Sequence, residues 1–278
     1  MTNQLSDLSY WRQLISTLLD KAKQKGATQA EVAANLDYGF SLNVRNGQTE
    51  TVEYHRGKSV GITVYFGKRK GSATTSDALP DALEKTLDAA CYIASVSGED
   101  PFSGLAEKSF LAYDYPNLSL CHPWEIDVKK GIELARQCES YALSQNHRIK
   151  SSEGAYLSTH QGLSVYANTQ GFLGEVEGTN HSISCHLLAE SQQGMQRDYD
   201  YSVARDPNDL ESVEKIAKQA VYRTLRRDNP RRVKTCQVPI LFDATVASSL
   251  FGSFISAISG SSQYKKSSFL LDTLGKTI

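Results

Sequence analysis

Ser262-Gln263-Tyr264-Lys265 has the Ser-x-x-Lys spacing that lets a lysine take the proton of a serine nucleophile. Enzymes that acylate such a serine also need it at a helix start, with a Ser-Asp-Asn and a Lys-Thr-Gly elsewhere. This chain has no Ser-Asp-Asn, and Lys276-Thr277-Ile278 lacks the glycine, so nucleophilic serine chemistry is disfavoured. Arg56-Gly57-Lys58-Ser59 ends like a phosphate-binding loop. Val52 stands where the first glycine would be, and a strand pattern follows where a helix is needed, so a hairpin turn is the better reading. His181, Cys185 and His186 are metal-ligating by type. On a strand, 185 and 186 point to opposite faces, while 181 and 185 share a face but stand about 13 Å apart. That is too far for one ion, and ordinary strand residues are expected. Arg223, Arg226, Arg227, Arg231, Arg232 and Lys234 form a basic run with Tyr222 as its only nearby aromatic. A cationic helix end with a solvated connection fits it better than a nucleic-acid platform.

The stretch with the most organisation is Cys236–Lys266. Gln237–Asp243 is a short apolar run between turn formers, which predicts a strand. Val246, Leu250, Phe251, Phe254, Ile255 and Ile258 then fall on one helical face, and Gly260 is expected to stop that helix. Ser248, Ser249 and Ser253 lie between the apolar positions.

Val238–Phe242, Leu250-Phe251-Gly252, Ala257–Gly260, Tyr264–Lys266 and Ser268–Lys276 resemble the TldD/PmbA metallopeptidase family, and the likeness extends through most of the chain. Asp100-Pro101-Phe102-Ser103-Gly104-Leu105 is similar to a motif that closes the first region of relatives in the PmbA/TldE branch. The resemblance implies a two-subunit peptidase whose TldD subunit carries His-Glu-x-x-x-His on the helix that begins here near Val246. Placed on Gly252, those three positions fall on Ser248, Ser249 and Ser253. A serine hydroxyl is a poor zinc ligand and a poor base, so this helix is expected to hold no zinc. The resemblance thus implies a non-catalytic PmbA/TldE-like subunit with no catalytic residue or cofactor of its own. Zinc is expected in a TldD-type partner, and unfolded or precursor peptides, including those of peptide antibiotics, are the expected substrates. The alternative is a peptide-binding or scaffolding module with no role in proteolysis.

Composition fits either function. The chain has 278 residues, a net charge of −1 and 22% charged residues, with no apolar run long enough to span a bilayer. Neither nucleic acid nor membrane is an expected partner. Met1–Asp7 lacks the basic and apolar regions of a signal peptide, which makes the cytoplasm the expected location. The five cysteines are scattered and form no Cys-x-x-Cys, as free thiols would.

The elements that would position these groups alternate between two periods. Leu8, Trp11, Ile15, Leu18, Leu19 and Ala22 predict a first helix. Ala30–Leu36 and Phe40–Val44 alternate as strands up to Asn46-Gly47, a strong hairpin signal. Gln48–His55 and Val60–Phe66 read as separate strands around a Gly57-Lys58 turn, followed by Arg69–Thr74. A helix capped by Ser76 follows, then an irregular linker over Asp100–Pro123 and a helix over Glu125–Tyr141. Residues 147–205 return to period two, including Gly162–Ala167 and Ser182–Ala189, and Asp206-Pro207 is expected to open a long helix. The expected fold is α+β: two helix-covered antiparallel-sheet units, 1–110 and 111–232, followed by 233–278 as the start of a truncated β-rich C-terminal domain.

Overall fold

The computed structural model describes residues 8–191 and 194–277, so the signal-peptide reading of Met1–Asp7 and the Ile278 position lie outside it. The chain separates into two compact units, Met1–Pro230 and Arg231–Ile278. In the first, α1 (Leu8–Gln24) precedes β1 (Gln29–Arg45), β2 (Gln48–Phe66) and β3 (Arg69–Thr75), with α2 (Pro80–Val96) after them. A linker with one 3-10 turn leads to α3 (Val128–Gln145), β4 (Ile149–Asn168), β5 (Leu173–Ser191), β6 (Gly194–Ala204) and α4 (Val213–Leu225). The second unit holds α5 (Ala244–Ile258) and α6 (Gly260–Tyr264). Among the described residues no helix is long and apolar enough to cross a membrane.

The strands form one six-stranded antiparallel sheet in the order β3-β2-β1-β4-β5-β6. This corrects the expectation of two sheet units. The join is β1 against β4, in register from Glu31–Asn168 to Val44–Ala155. Local alternation reveals that both segments are strands, but nothing in it pairs residues more than a hundred positions apart. Two cores do exist, on one face. Ala30, Val32, Ala34 and Leu36 of β1 meet α1 and α2 residues such as Ile15 and Leu87. Phe40, Leu42 and Val44 of the same strand meet Ala135 and Cys138 of α3 and Ile216 of α4. All seven β1 positions are even-numbered, so a single pleated face carries both helix pairs.

Two further expectations fail for related reasons. Gly57-Lys58 is no turn: β2 runs through it, with Arg56 opposite Tyr38 and Lys58 opposite Leu36. Ser76 caps nothing; α2 begins after Leu79, whose amide donates to Asp77 Oδ1 at 2.9 Å.

In the second unit, residues 237–243 form no strand, and the unit is helical rather than β-rich. A strand is held by ladder hydrogen bonds to a neighbour, and the apolar run has none. Leu241 stays 97% exposed and Ile240 74%. Gly260 starts α6 instead of ending α5; Ser259 intervenes, its side chain accepting from the Ser262 amide at 3.3 Å.

Candidate functional site

Residues singled out by type are mostly used for structure. His181 is 1% exposed on the helix-bearing face. Its Nε2 lies 2.9 Å from the His122 carbonyl and its Nδ1 2.8 Å from Thr159 Oγ1. A carbonyl only accepts, so Nε2 carries the proton and the ring ties the linker to β4. Cys185 is buried in the α3–α4 core, where the adjacent Cys138 thiol and burial push its own thiol up. His186 points the other way and stacks on Tyr199 at 4.8 Å. Burial lowers its proton affinity, with Glu153 opposing and Arg197 adding to the effect. The three are therefore not one site, and among the described residues no three metal-ligating side chains converge so as to hold an ion.

The basic run also divides. Arg223 lies 3.6 Å from Asp198 and 3.4 Å from Asp200, and Arg227 donates to Asp198 at 2.9 Å. These pairs fasten α4 to β6. Burial pushes Asp198 up, but the Tyr199 amide, Arg227 and Arg223 outweigh it and hold the carboxyl below its usual range. Burial leads at Asp200 too and leaves it raised. Arg231, Arg232 and Lys234 belong to the second unit. Cys121 lies 3.7 Å from Gln161 Nε2, and burial followed by Glu177 raises its thiol, the opposite of what a nucleophilic cysteine requires.

On α5, Ser249 donates to the Val246 carbonyl at 2.7 Å and Ser253 to the Ser249 carbonyl at 2.9 Å. Ser248 is exposed on the same helix. Hydroxyls engaged with their own helix, and no imidazole or carboxylate among these three, do not fit a zinc ion. Ser262 is likewise engaged locally, with Ser259 Oγ 3.0 Å from its hydroxyl.

The arrangement that the sequence reading missed is the sheet face opposite the helices. Its floor follows from register. Asp37 stands between Gly57 and Gly162, and Gly178 continues the row. In the next row His55 and His160 flank Gly39. A Cβ at Gly39 would lie 1.9 Å from the Thr159 carbonyl oxygen, and above this bare position the two imidazoles meet at 5.0 Å. Ser41 Oγ is 2.9 Å from His55 Nε2, and Asp37 is 3.7 Å from His160 Nδ1. The following row is Glu53, Ser41, Ser158 and Ser182, with a 2.9 Å contact between the last two hydroxyls. Tyr156, His186, Tyr199 and Tyr201 form an aromatic patch at the β6 side. The signal was present in the sequence: glycines at strand centres mark open floor, although Gly57 reads there as a turn.

Comparison with known proteins matches three consecutive parts of the chain to one family: PmbA/TldA metallopeptidase domain 1 at residues 30–94, the central domain at 121–228 and the C-terminal domain at 235–278. "Metalloprotease PmbA" of Escherichia coli O157:H7 is 41% identical over 264 residues, covering 95% of this chain and 58% of that protein. The chain belongs to the PmbA/TldD metallopeptidase family. "Metalloprotease PmbA homolog" of Haemophilus influenzae is 38% identical, covering 96% of this chain and 59% of its own. The chain thus spans less than two thirds of the length of these relatives. A crystal structure titled as a putative modulator of DNA gyrase from Bacteroides thetaiotaomicron superposes with a TM-score of 0.88 at 24% identity, over 96% of this chain and 61% of that one. TldE from Thermococcus kodakarensis gives 0.68 at 15%, over 94% and 58%. At these identities the likeness is one of fold.

Proposed function

We propose that this PmbA/TldD family member acts as a non-catalytic, PmbA/TldE-like subunit that helps a zinc-bearing TldD-type partner bind and cut unfolded or precursor peptides in the cytoplasm. The observation that carries the reading is family membership along three consecutive domains combined with an α5 that offers Ser248, Ser249 and Ser253 where a peptidase helix needs two imidazoles and a base. The matched segments also support dividing the chain at about residues 110 and 232.

The chain's own contribution is then to hold substrate. The helix-free face, polar and floored with glycine and serine, suits an extended peptide better than a compact small molecule, since no enclosing wall is needed. The same face favours the second reading, a peptide-binding module that takes no part in cleavage.

Adding a subunit with His-Glu-x-x-x-His to the purified chain separates the two. Cleavage of an unfolded peptide only in the mixture supports the subunit reading; binding without any gain in cleavage supports the module. The chain alone is expected to bind no stoichiometric zinc. Equimolar zinc by elemental analysis, lost in Ser248→Ala with Ser253→Ala, would overturn the assignment of α5.

A further inference from the structure

We propose that the helix-free face selects extended peptides carrying an arginine or lysine, with Asp37 as the anchor for the cationic side chain. The inference rests on the peptide-holding reading and adds a substrate class to it. Across four strands, the row Gly57, Asp37, Gly162, Gly178 holds one side chain, and that side chain is a carboxylate. Rows on one face are separated by two residues, about 7 Å, so the glycines open a trench beside Asp37 about as wide as an extended chain.

Charge decides the occupant. In the central rows of this face, 33–41 of β1, 53–61 of β2, 158–166 of β4 and 176–184 of β5, Asp37 and Glu53 are the acids and there is no lysine or arginine. Arg56 and Lys58 are on the other face, because each neighbours a residue of this one on the same strand. Arg205 closes the trench at its β5 end, donating to the Thr179 carbonyl at 3.3 Å, with its Nη1 3.2 Å from where a Gly178 Cβ would lie. Asp37 is therefore the charged side chain that stands within the row itself, with Arg205 at its β5 end. The Asp37 side chain is 54% exposed and reachable. Among the described residues His160, 3.7 Å away, is its one ion-pair partner, and only when protonated.

The flanking rows supply the rest of a peptide site. Asn35 and Ser164 stand on one side, joined at 2.7 Å, and Ser41, Ser158 and Ser182 lie beyond the histidines. Their amides and hydroxyls can meet peptide groups of any sequence, while the carboxylate reads charge. A guanidinium can engage both oxygens of Asp37, which a neutral glutamine of similar length cannot replace.

The test is fluorescence polarisation with the full chain and a labelled Gly/Ser octapeptide bearing one central arginine, against the same peptide bearing glutamine. The arginine peptide is expected to bind about tenfold more tightly, and Asp37→Asn to bring the ratio close to one. Glu107→Gln makes the same change of net charge outside the sheet and should leave the ratio intact. Equal binding of both peptides, or an unchanged ratio in Asp37→Asn, would overturn the basic-side-chain reading while leaving peptide binding in place. Free arginine binding as tightly as the peptide would overturn the peptide as occupant. No binding of either peptide would remove the peptide-holding reading as well.

Discussion

Glu139 is a charged residue of α3 that is only 1% exposed, and backbone amides engage both of its oxygens. Its two oxygens accept from the amides of Asn46 and Gly47, at 2.8 and 2.7 Å. Asn46 and Gly47 have φ of 52° and 71°, so both central residues of the β1–β2 turn are left-handed. Successive amides in such a turn point to one side and form an anion-binding hollow. In Glu139→Gln only one oxygen remains, and an NH2 faces the other amide. The loss of one charge-assisted hydrogen bond costs about 1.5–3 kcal/mol, and a buried donor left unmet about 1–3. Relief from burying a charge offsets part of this, leaving about 2–3 kcal/mol, or roughly 5–10 °C in melting temperature for a chain of this size. Urea unfolding followed by tryptophan fluorescence reads the first figure, and hydrogen exchange reads whether the amides of Asn46 and Gly47 open first. A change in melting temperature below about 1 °C, or loss of stability with unaltered exchange at those two amides, would refute the clamp.

Three other outcomes are expected. Gly47→Ala places a Cβ where nothing lies within 4 Å, so only the positive φ is penalised and the loss should be about 1–2 kcal/mol by urea titration. Asp198 is held below its ordinary range in the fold, so its stabilisation is present above about pH 4 and lost as pH falls through the lower folded value; Asp198→Asn should therefore flatten the acid limb of a melting-temperature profile and, at pH 7, cost about 1.5–3 kcal/mol by taking the carboxylate from Arg227 and leaving Arg223 with Asp200 alone. In the second unit Ile240, Leu241, Phe251, Ile255 and Phe269 are more than half exposed, so residues 231–277 should exchange amide hydrogen fastest and bind a hydrophobic dye, with Phe251→Ser reducing the dye signal; slow, uniform exchange there would contradict this.

What could be read from the sequence depended on the range of the interaction. α1 follows from the spacing of Trp11, Ile15 and Leu18, and the β1–β2 hairpin from Asn46-Gly47, because both signals act within a few residues. The single strand β2 was misread as two strands with a turn at Gly57. Glycine there removes a side chain from the middle of a long strand instead of ending it. The β1–β4 pairing that makes one sheet out of two halves has no local signature. The strand expected at Gln237–Asp243 fails in the opposite way: its local apolar pattern is real, but in the second unit it has no neighbour to pair with.

The candidate site was hidden by the same long-range step. His55, Asp37 and His160 sit on three strands, with the two histidines 105 positions apart in the chain, and none of them lies in a recognisable motif. They come together because β1 pairs on both sides and Gly39 has no side chain to keep the rings apart. Placing these polar groups over a row of glycines costs nothing in core packing, since every large apolar residue of β1 already faces the helices. The face is therefore free to be set by what it binds. A substitution such as Asp37→Asn can be expected to leave folding intact while changing recognition, which is why it can test function separately from stability.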